Sequence, residues 1–128
     1  MRLLLDTHAF LWWDSDPDRL SATALAACQD PTNVMLLSVA SIWEMQIKMQ
    51  LGKLKLFVQL ENTIVSQQQA NALEVLPITM SHVFGLNELS PMHKDPFDRL
   101  LVAQANTEGA TLVSNDSIFE RYPVRLLW

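Results

Sequence analysis

The sequence predicts an α/β protein, a three-layer α/β/α sandwich on a mainly parallel central sheet, and three observations predict it. Short apolar runs at Leu3-Leu4-Leu5, at residues 34–39 and at residues 111–114 are continuous rather than alternating, as expected of strands buried on both faces. Capped, helix-patterned stretches separate these runs, so strand and helix alternate along the chain. The 128 residues, 49% of them hydrophobic, suit one domain over residues 1–128 with a core of its own.

The first strand, Arg2 to Leu5, stops at Asp6. His8 to Trp13 then form a short helical turn, ended by the breakers Asp14-Ser15-Asp16-Pro17. Ser21 caps an Ala-rich helix to about Gln29, and Asp30-Pro31-Thr32-Asn33 stop it. The second strand, residues 34–39, leads into a helix over 40–50 with Gly52 as its C-cap. Residues 56–69 read as a further helix with Phe57, Leu60, Ile64 and Val65 on one face. Glu74 and Pro77 suit residues 73–78 to an edge strand. Ser81 caps a short helix to Leu89, residues 90–94 form a loop, and a helix from Pro96 to Thr107 ends at Gly109. The fourth strand runs up to Asn115-Asp116, residues 118–122 make a turn or short helix, and 124–128 a last strand.

The formal charge of -5, from 14 acidic and 9 basic side chains, is a poor general footprint for nucleic acid. Setting aside the four carboxylates discussed next leaves ten acids against nine bases, so the excess is local and a divalent cation would offset much of it. No apolar stretch approaches the length that spans a bilayer. The apolar start ends at Asp6, too early for an export signal, so a cytoplasmic location is expected. Cys28 has no second cysteine to pair with and reads as a buried thiol.

Asp6 and Asp116 each follow a buried strand. Alone, either is equally a turn residue or a helix cap. Together they put two acids at the carboxyl edge of the sheet, where parallel α/β folds gather their ligands. Glu44 reads by itself as a surface partner of Lys48, yet its helix leaves the second strand at the same edge. In Asp95-Pro96-Phe97-Asp98 the first acid suits the N-cap with proline at N1. Asp98 is then the better candidate for chemistry, with Asp95 in reserve. Four carboxylates sharing a pocket repel one another unless a cation is present. An all-oxygen set suits Mg²⁺ or Mn²⁺, and the chemistry it supports is phosphodiester hydrolysis.

Thr7 and Ser114 beside these acids could hold metal-bound water or satisfy local backbone. His8 reads as a hydrogen-bonded helix-start residue rather than a ligand, because no zinc-type spacing accompanies it. His93 and Lys94 could meet phosphate, with a solvated loop as the plainer reading. Trp12, Trp13 and Trp43 could stack on bases, but core or interface packing is favoured for them.

The segments Leu4-Leu5-Asp6-Thr7-His8, Ser41-Ile42-Trp43-Glu44, Asp95-Pro96-Phe97-Asp98-Arg99 and Leu112-Val113-Ser114-Asn115-Asp116 resemble the PIN-domain family. More narrowly, they are similar to the VapC-type ribonuclease toxins of toxin–antitoxin pairs. The resemblance runs through nearly the whole chain, and the Asp-Pro-Phe-Asp-Arg segment is its most specific part. It implies an endoribonuclease dependent on Mg²⁺ or Mn²⁺, inhibited by a cognate antitoxin and commonly a homodimer. The family's four acidic positions map onto Asp6, Glu44, Asp98 and Asp116.

Rival readings of the acids fit less well. A receiver domain needs an aspartate ending its third strand, where this chain has Ile78-Thr79. A phosphatase of the Asp-x-Asp type needs a second acid where His8 stands. The rival from another class is a non-catalytic module whose acidic groove receives a basic partner segment, with Trp12, Trp13 and Met45 as its rim. A PIN nuclease of RNA processing outside any toxin–antitoxin pair is a further alternative.

Overall fold

Strands β1 (Arg2–Leu5), β2 (Val34–Ser38), β3 (Glu74–Leu76), β4 (Thr111–Val113) and β5 (Leu126–Leu127) form one sheet in the order β3-β2-β1-β4-β5. The structure, a computed structural model, describes residues 1–91 and 95–128. Every pairing in the sheet is parallel, and Leu4 lies level with Leu36 on one side and Leu112 on the other. The helices are α1 (Thr7–Ser15), α2 (Ala22–Gln29), α3 (Val39–Gln50), α4 (Leu60–Asn71), α5 (Met80–Gly85) and α6 (Pro96–Glu108), with 3₁₀ turns at Pro17–Arg19, Leu86–Glu88 and Ser117–Arg121.

The strand period of two sorts β1 into two cores. Leu3 and Leu5 pack with Met35, Leu37, Phe10 of α1, Cys28 of α2, Met45 of α3 and Ile64 of α4. Leu4 points the other way, with Leu36, Leu112, Leu101 and Val102 of α6, and Phe119. Both faces of the sheet are therefore covered, which gives the three layers expected. Burial pushes the thiol of Cys28 up to about 11, so the cysteine is an inert core residue. Among the described residues no helix is long and apolar enough to cross a membrane.

The chain runs up β1, β2 and β3 toward one sheet edge and then crosses to the far side of β1 for β4. That reversal puts a topological switch point at the carboxyl ends of β1 and β4, the place where such sheets open a ligand crevice. Asp6 and Ser114 are the first residues beyond the two strands.

Several expected boundaries move. Helix α4 starts at Leu60, not 56: Leu54 and Leu56 pack on the core while Lys55 and Phe57 are exposed. That alternation belongs to extended chain, so Phe57 leaves the helix face assigned to it, and Val65 is exposed too. The short helix α5 is capped by Thr79 rather than Ser81, because His82 at N3 completes a reciprocal capping box with the Thr79 hydroxyl and amide. The last strand shrinks to two residues, the length over which β4 can pair with it. Helix α3 has Leu51 as its C-cap, with Gly52 beyond it at φ 71°. Helix α6 ends as expected on Gly109, at φ 63°, where a side chain would be strained.

Candidate active site

Asp6 caps α1: its Oδ1 accepts from the amide of Ala9 at 2.8 Å. Its Oδ2 accepts from the hydroxyl of Ser114, so the end of β1 is laced to the end of β4. Ser114 Oγ in turn accepts from the amide of Asp116 at 3.0 Å. Asp116 caps the 3₁₀ turn after β4, where its Oδ1 accepts from the Ile118 amide at 3.0 Å. Both strand-end acids thus cap the next element with one oxygen, as the capping reading expects. Asp116 is exposed, whereas Asp6 is only 7% exposed. Burial pushes the Asp6 carboxyl above its ordinary value, and the charge of Asp116 adds to that push. The Ser114 hydroxyl, the Ala9 amide and the nearby imidazole of His8 pull it back.

Glu44 sits on the second turn of α3, whose start is fixed by Ser38: the Ser38 hydroxyl accepts from the Ala40 amide. The Lys48 pairing expected of a surface glutamate exists, at 3.5 Å from Glu44 Oε2, but the Glu44 side chain is only 15% exposed. Its other oxygen, Oε1, accepts from the hydroxyl of Thr7. Helix α3 therefore leans over the end of β1, and the two residues after that strand hold two acids. Ser41, one turn before Glu44, buries a hydroxyl that has no partner among the described residues.

Asp98 lies half-buried in the first turn of α6. Asp95 is the cap, accepting from the amides of Phe97 at 2.9 Å and Asp98 at 3.3 Å, as its place before Pro96 predicts. The start of α6 meets α3 through Phe97, whose ring stands edge-on to Trp43 at 5.3 Å between centroids. The residues preceding Asp98 and Glu44 are therefore in contact. Replacing Asp95 with Ala should cost about 1 kcal/mol; a chemical-denaturation midpoint unchanged from the parent would show that the cap contributes nothing.

Thr7 and Ser114, expected to hold water or satisfy backbone, both donate to carboxylates, and Ser114 also satisfies local backbone through the Asp116 amide. The ring of His8 stacks on Trp12 at 5.7 Å, and among the described residues it shows no helix-start hydrogen bond of the kind expected. Trp12 and Trp13 pack against the first core as expected, but Trp43 is 59% exposed. Met45 is fully buried, so it cannot form a binding rim; helix α3 turns it into the core when Glu44 faces Thr7. His93 and Lys94 lie outside the described residues.

Among the described residues, no three His, Cys, Asp or Glu side chains gather closely enough to hold a metal directly. The donors at this edge are carboxylate and hydroxyl oxygens. They fit an ion such as Mg²⁺ that keeps much of its water and takes one or two carboxylates.

A second polar chain, which sequence spacing could not reveal, braces the site from behind. Ser38 Oγ donates to Oε1 of the buried Gln104 at 2.5 Å. The Gln104 amide nitrogen faces Pro77 O at 3.4 Å and His82 Nδ1 at 3.3 Å. His82, fully buried, meets Glu108 at 2.8 Å, and Glu108 pairs with Arg2 at 3.3 Å. The strand bearing Asp6 and the helices bearing Glu44 and Asp98 are joined through it.

The family model for the PIN domain matches residues 3–125. Ribonuclease VapC22 of Mycobacterium tuberculosis (strain ATCC 25618 / H37Rv) is 30% identical over 115 residues, covering 89% of this chain and 86% of that protein. The crystal structure of VapBC2 from Rickettsia felis bound to a DNA fragment from its promoter is similar at a TM-score of 0.72 and 20% identity, covering 99% of this chain and 98% of that one. DNA-bound VapBC from Salmonella typhimurium is similar at a TM-score of 0.68 and 17% identity, over 99% and 97% of the two chains. At these identities the solved structures attest the fold.

Proposed function

Because the chain belongs to the PIN-domain family, we propose that it is an endoribonuclease using Mg²⁺ or Mn²⁺, and the toxin of a toxin–antitoxin pair. The observation that carries this reading is the lacing of Asp6 to Ser114 and of Glu44 to Thr7 at one sheet edge. It collects acids where a phosphodiester could be cut and where a fold held only by packing would have no reason to bury one.

In this reading Asp6 and Asp116 hold the ion, while Glu44 and Asp98 complete the acidic set around it. When bound, the ion would supply an activated water and neutralise charge on the phosphate. Ser114 fixes the rotamer of Asp6, and Thr7 fixes that of Glu44. A group held in one orientation before substrate arrives spends no binding energy on ordering. Support for the toxin assignment comes from the relative named ribonuclease VapC22 and from the toxin–antitoxin complexes among the similar structures. A cognate antitoxin protein is the partner this implies, with the work done by a single domain over residues 1–128 in the cytoplasm.

We further read the chain as a homodimer. Helix α5 exposes Met80, Val83 and Phe84 on consecutive turns, an apolar stripe suited to a second copy. Phe84→Glu should weaken self-association about a hundredfold, since a buried unpaired charge is costly. Light scattering that finds the variant as dimeric as its parent would place the contact elsewhere.

The test of function is cleavage of a structured RNA by purified protein, with Mn²⁺ and with EDTA. Expected is cutting that needs the metal and that Asp116→Asn lowers at least a hundredfold. Folded protein that cuts no RNA in Mn²⁺ would favour a non-catalytic acidic groove.

A further inference from the structure

Three aromatic residues border the carboxylates in sequence: His8 follows Thr7, Trp43 precedes Glu44 and Phe97 precedes Asp98. The Thr7–Glu44 hydrogen bond joins the chain neighbours of the first two. Trp43 and Phe97 belong to neither core cluster. Trp43 is 59% exposed and is held edge-on against Phe97 at 5.3 Å, so its orientation is set while its indole meets solvent.

His8 is exposed too, and its ring lies on Trp12 at 5.7 Å with 28° between planes. Trp12 is backed by Trp128 at 5.8 Å and by the Arg19 guanidinium at 5.9 Å. The imidazole thus caps a braced aromatic column, two residues along the chain from Asp6.

We propose that Trp43 and His8 are base-stacking surfaces beside the carboxylates, through which the chain grips its substrate strand by the bases. The inference rests on the ribonuclease reading and supplies what that reading lacks, a source of affinity. The net charge is -5. Of the basic side chains, Arg2, Arg19 and Lys48 pair with carboxylates, and Arg99 donates to the Ser90 carbonyl. Those are four of the nine basic side chains, and with 14 acids against nine bases counterion release is a weaker source of binding here than for a basic chain. Stacking asks for no basic surface, and every base has a face to offer. A duplex keeps its bases stacked on each other and offers neither surface a partner.

The experiment is fluorescence anisotropy with short labelled oligoadenylate and oligouridylate strands in EDTA, where nothing is cut, beside a duplex of the two. The variants are Trp43→Ala, Trp43→Phe, His8→Ala and His8→Phe, each checked by thermal unfolding; both residues are exposed, so all should fold. Expected is binding of single strands weakened about tenfold by either alanine and restored to within about threefold by phenylalanine. For the Trp43 variants the salt dependence should stay that of the parent, because an indole has no charge to pair with phosphate. Alanine variants that bind like the parent, phenylalanine variants as weak as alanine, or a parent that binds no single strand would overturn the proposal. So would Trp43→Ala changing the oligomeric state without changing RNA affinity, which would make Trp43 a contact between protein chains. Should the protein bind strands through these rings yet cut nothing in Mn²⁺, the ribonuclease reading fails and the stacking surfaces stand.

Discussion

Asp6→Asn should lower metal-supported RNA cleavage about a thousandfold or more and leave the metal-free protein as stable as its parent, or more so, at neutral pH. The first effect follows from removing the most buried acid of the set, the one that both Ser114 and the Ala9 amide hold in place. The second follows from what that acid costs the empty site. In the unfolded chain Asp6 ionises at its ordinary value; in the folded chain burial, with help from Asp116, holds the carboxyl above it. Between the two, the folded state keeps a proton that the unfolded state gives up. The contribution of Asp6 to stability is therefore full below the unfolded value and is lost as pH rises through the folded one. Asparagine keeps an oxygen for the Ala9 amide and has no charge to lose. Thermal unfolding in EDTA across the acid-to-neutral range should show the parent falling relative to the variant as pH rises. Mn²⁺ should stabilise the parent and leave the variant where it is. A variant that retains a tenth of the activity, or that loses several degrees at neutral pH in EDTA, would mean that Asp6 is chiefly a structural cap.

Gln104→Leu should cost about 2 kcal/mol of stability, although the volumes are similar and the position is fully buried. The Gln104 carbonyl takes the Ser38 hydroxyl proton, and its amide faces His82 Nδ1 and Pro77 O. Because His82 Nδ1 also accepts from the Thr79 amide, its proton sits on Nε2 and is given to Glu108. Leucine can replace none of these partners. A buried polar group left unpaired costs about 1–3 kcal/mol: the fully buried Ser38 hydroxyl loses its acceptor, while His82 keeps the Thr79 amide and Glu108. Urea denaturation of the parent and variant measures the loss, and a difference below about 0.5 kcal/mol would show that the chain of hydrogen bonds is dispensable.

The parts of the molecule that sequence revealed are those whose causes are local. Leu3-Leu4-Leu5 and Thr111-Leu112-Val113 are apolar on both faces because both faces are covered, and the acids that end them mark the sheet edge. Asp95-Pro96 announces a helix start whatever surrounds it. The start of α4 was hidden because Leu54, Leu56, Leu60 and Ile64 fit a helix about as well as they fit a strand followed by one; only packing decides. The capping box on Thr79 was missed because a histidine stands where glutamate or glutamine is usual. The tie of Thr7 to Glu44 spans 37 residues and that of Ser38 to Gln104 spans 66, so no window of sequence contains either. A hydroxyl directly after a strand-end acid is the one available signal, and by itself it suits a water site or the local backbone equally well. The exposure of Trp43 was out of reach for the same reason: the turn of α3 that buries Met45 is set by contacts with other elements.

The most direct measurement is the anomalous difference map of a crystal soaked in Mn²⁺. Expected is a manganese peak within coordinating reach of Asp6 and Asp116, directly or through water, with Glu44 and Asp98 around it. A peak elsewhere, or a soaked crystal whose four acids surround no ion while Mn²⁺ still supports cleavage in solution, would contradict the assignment of these residues to the metal.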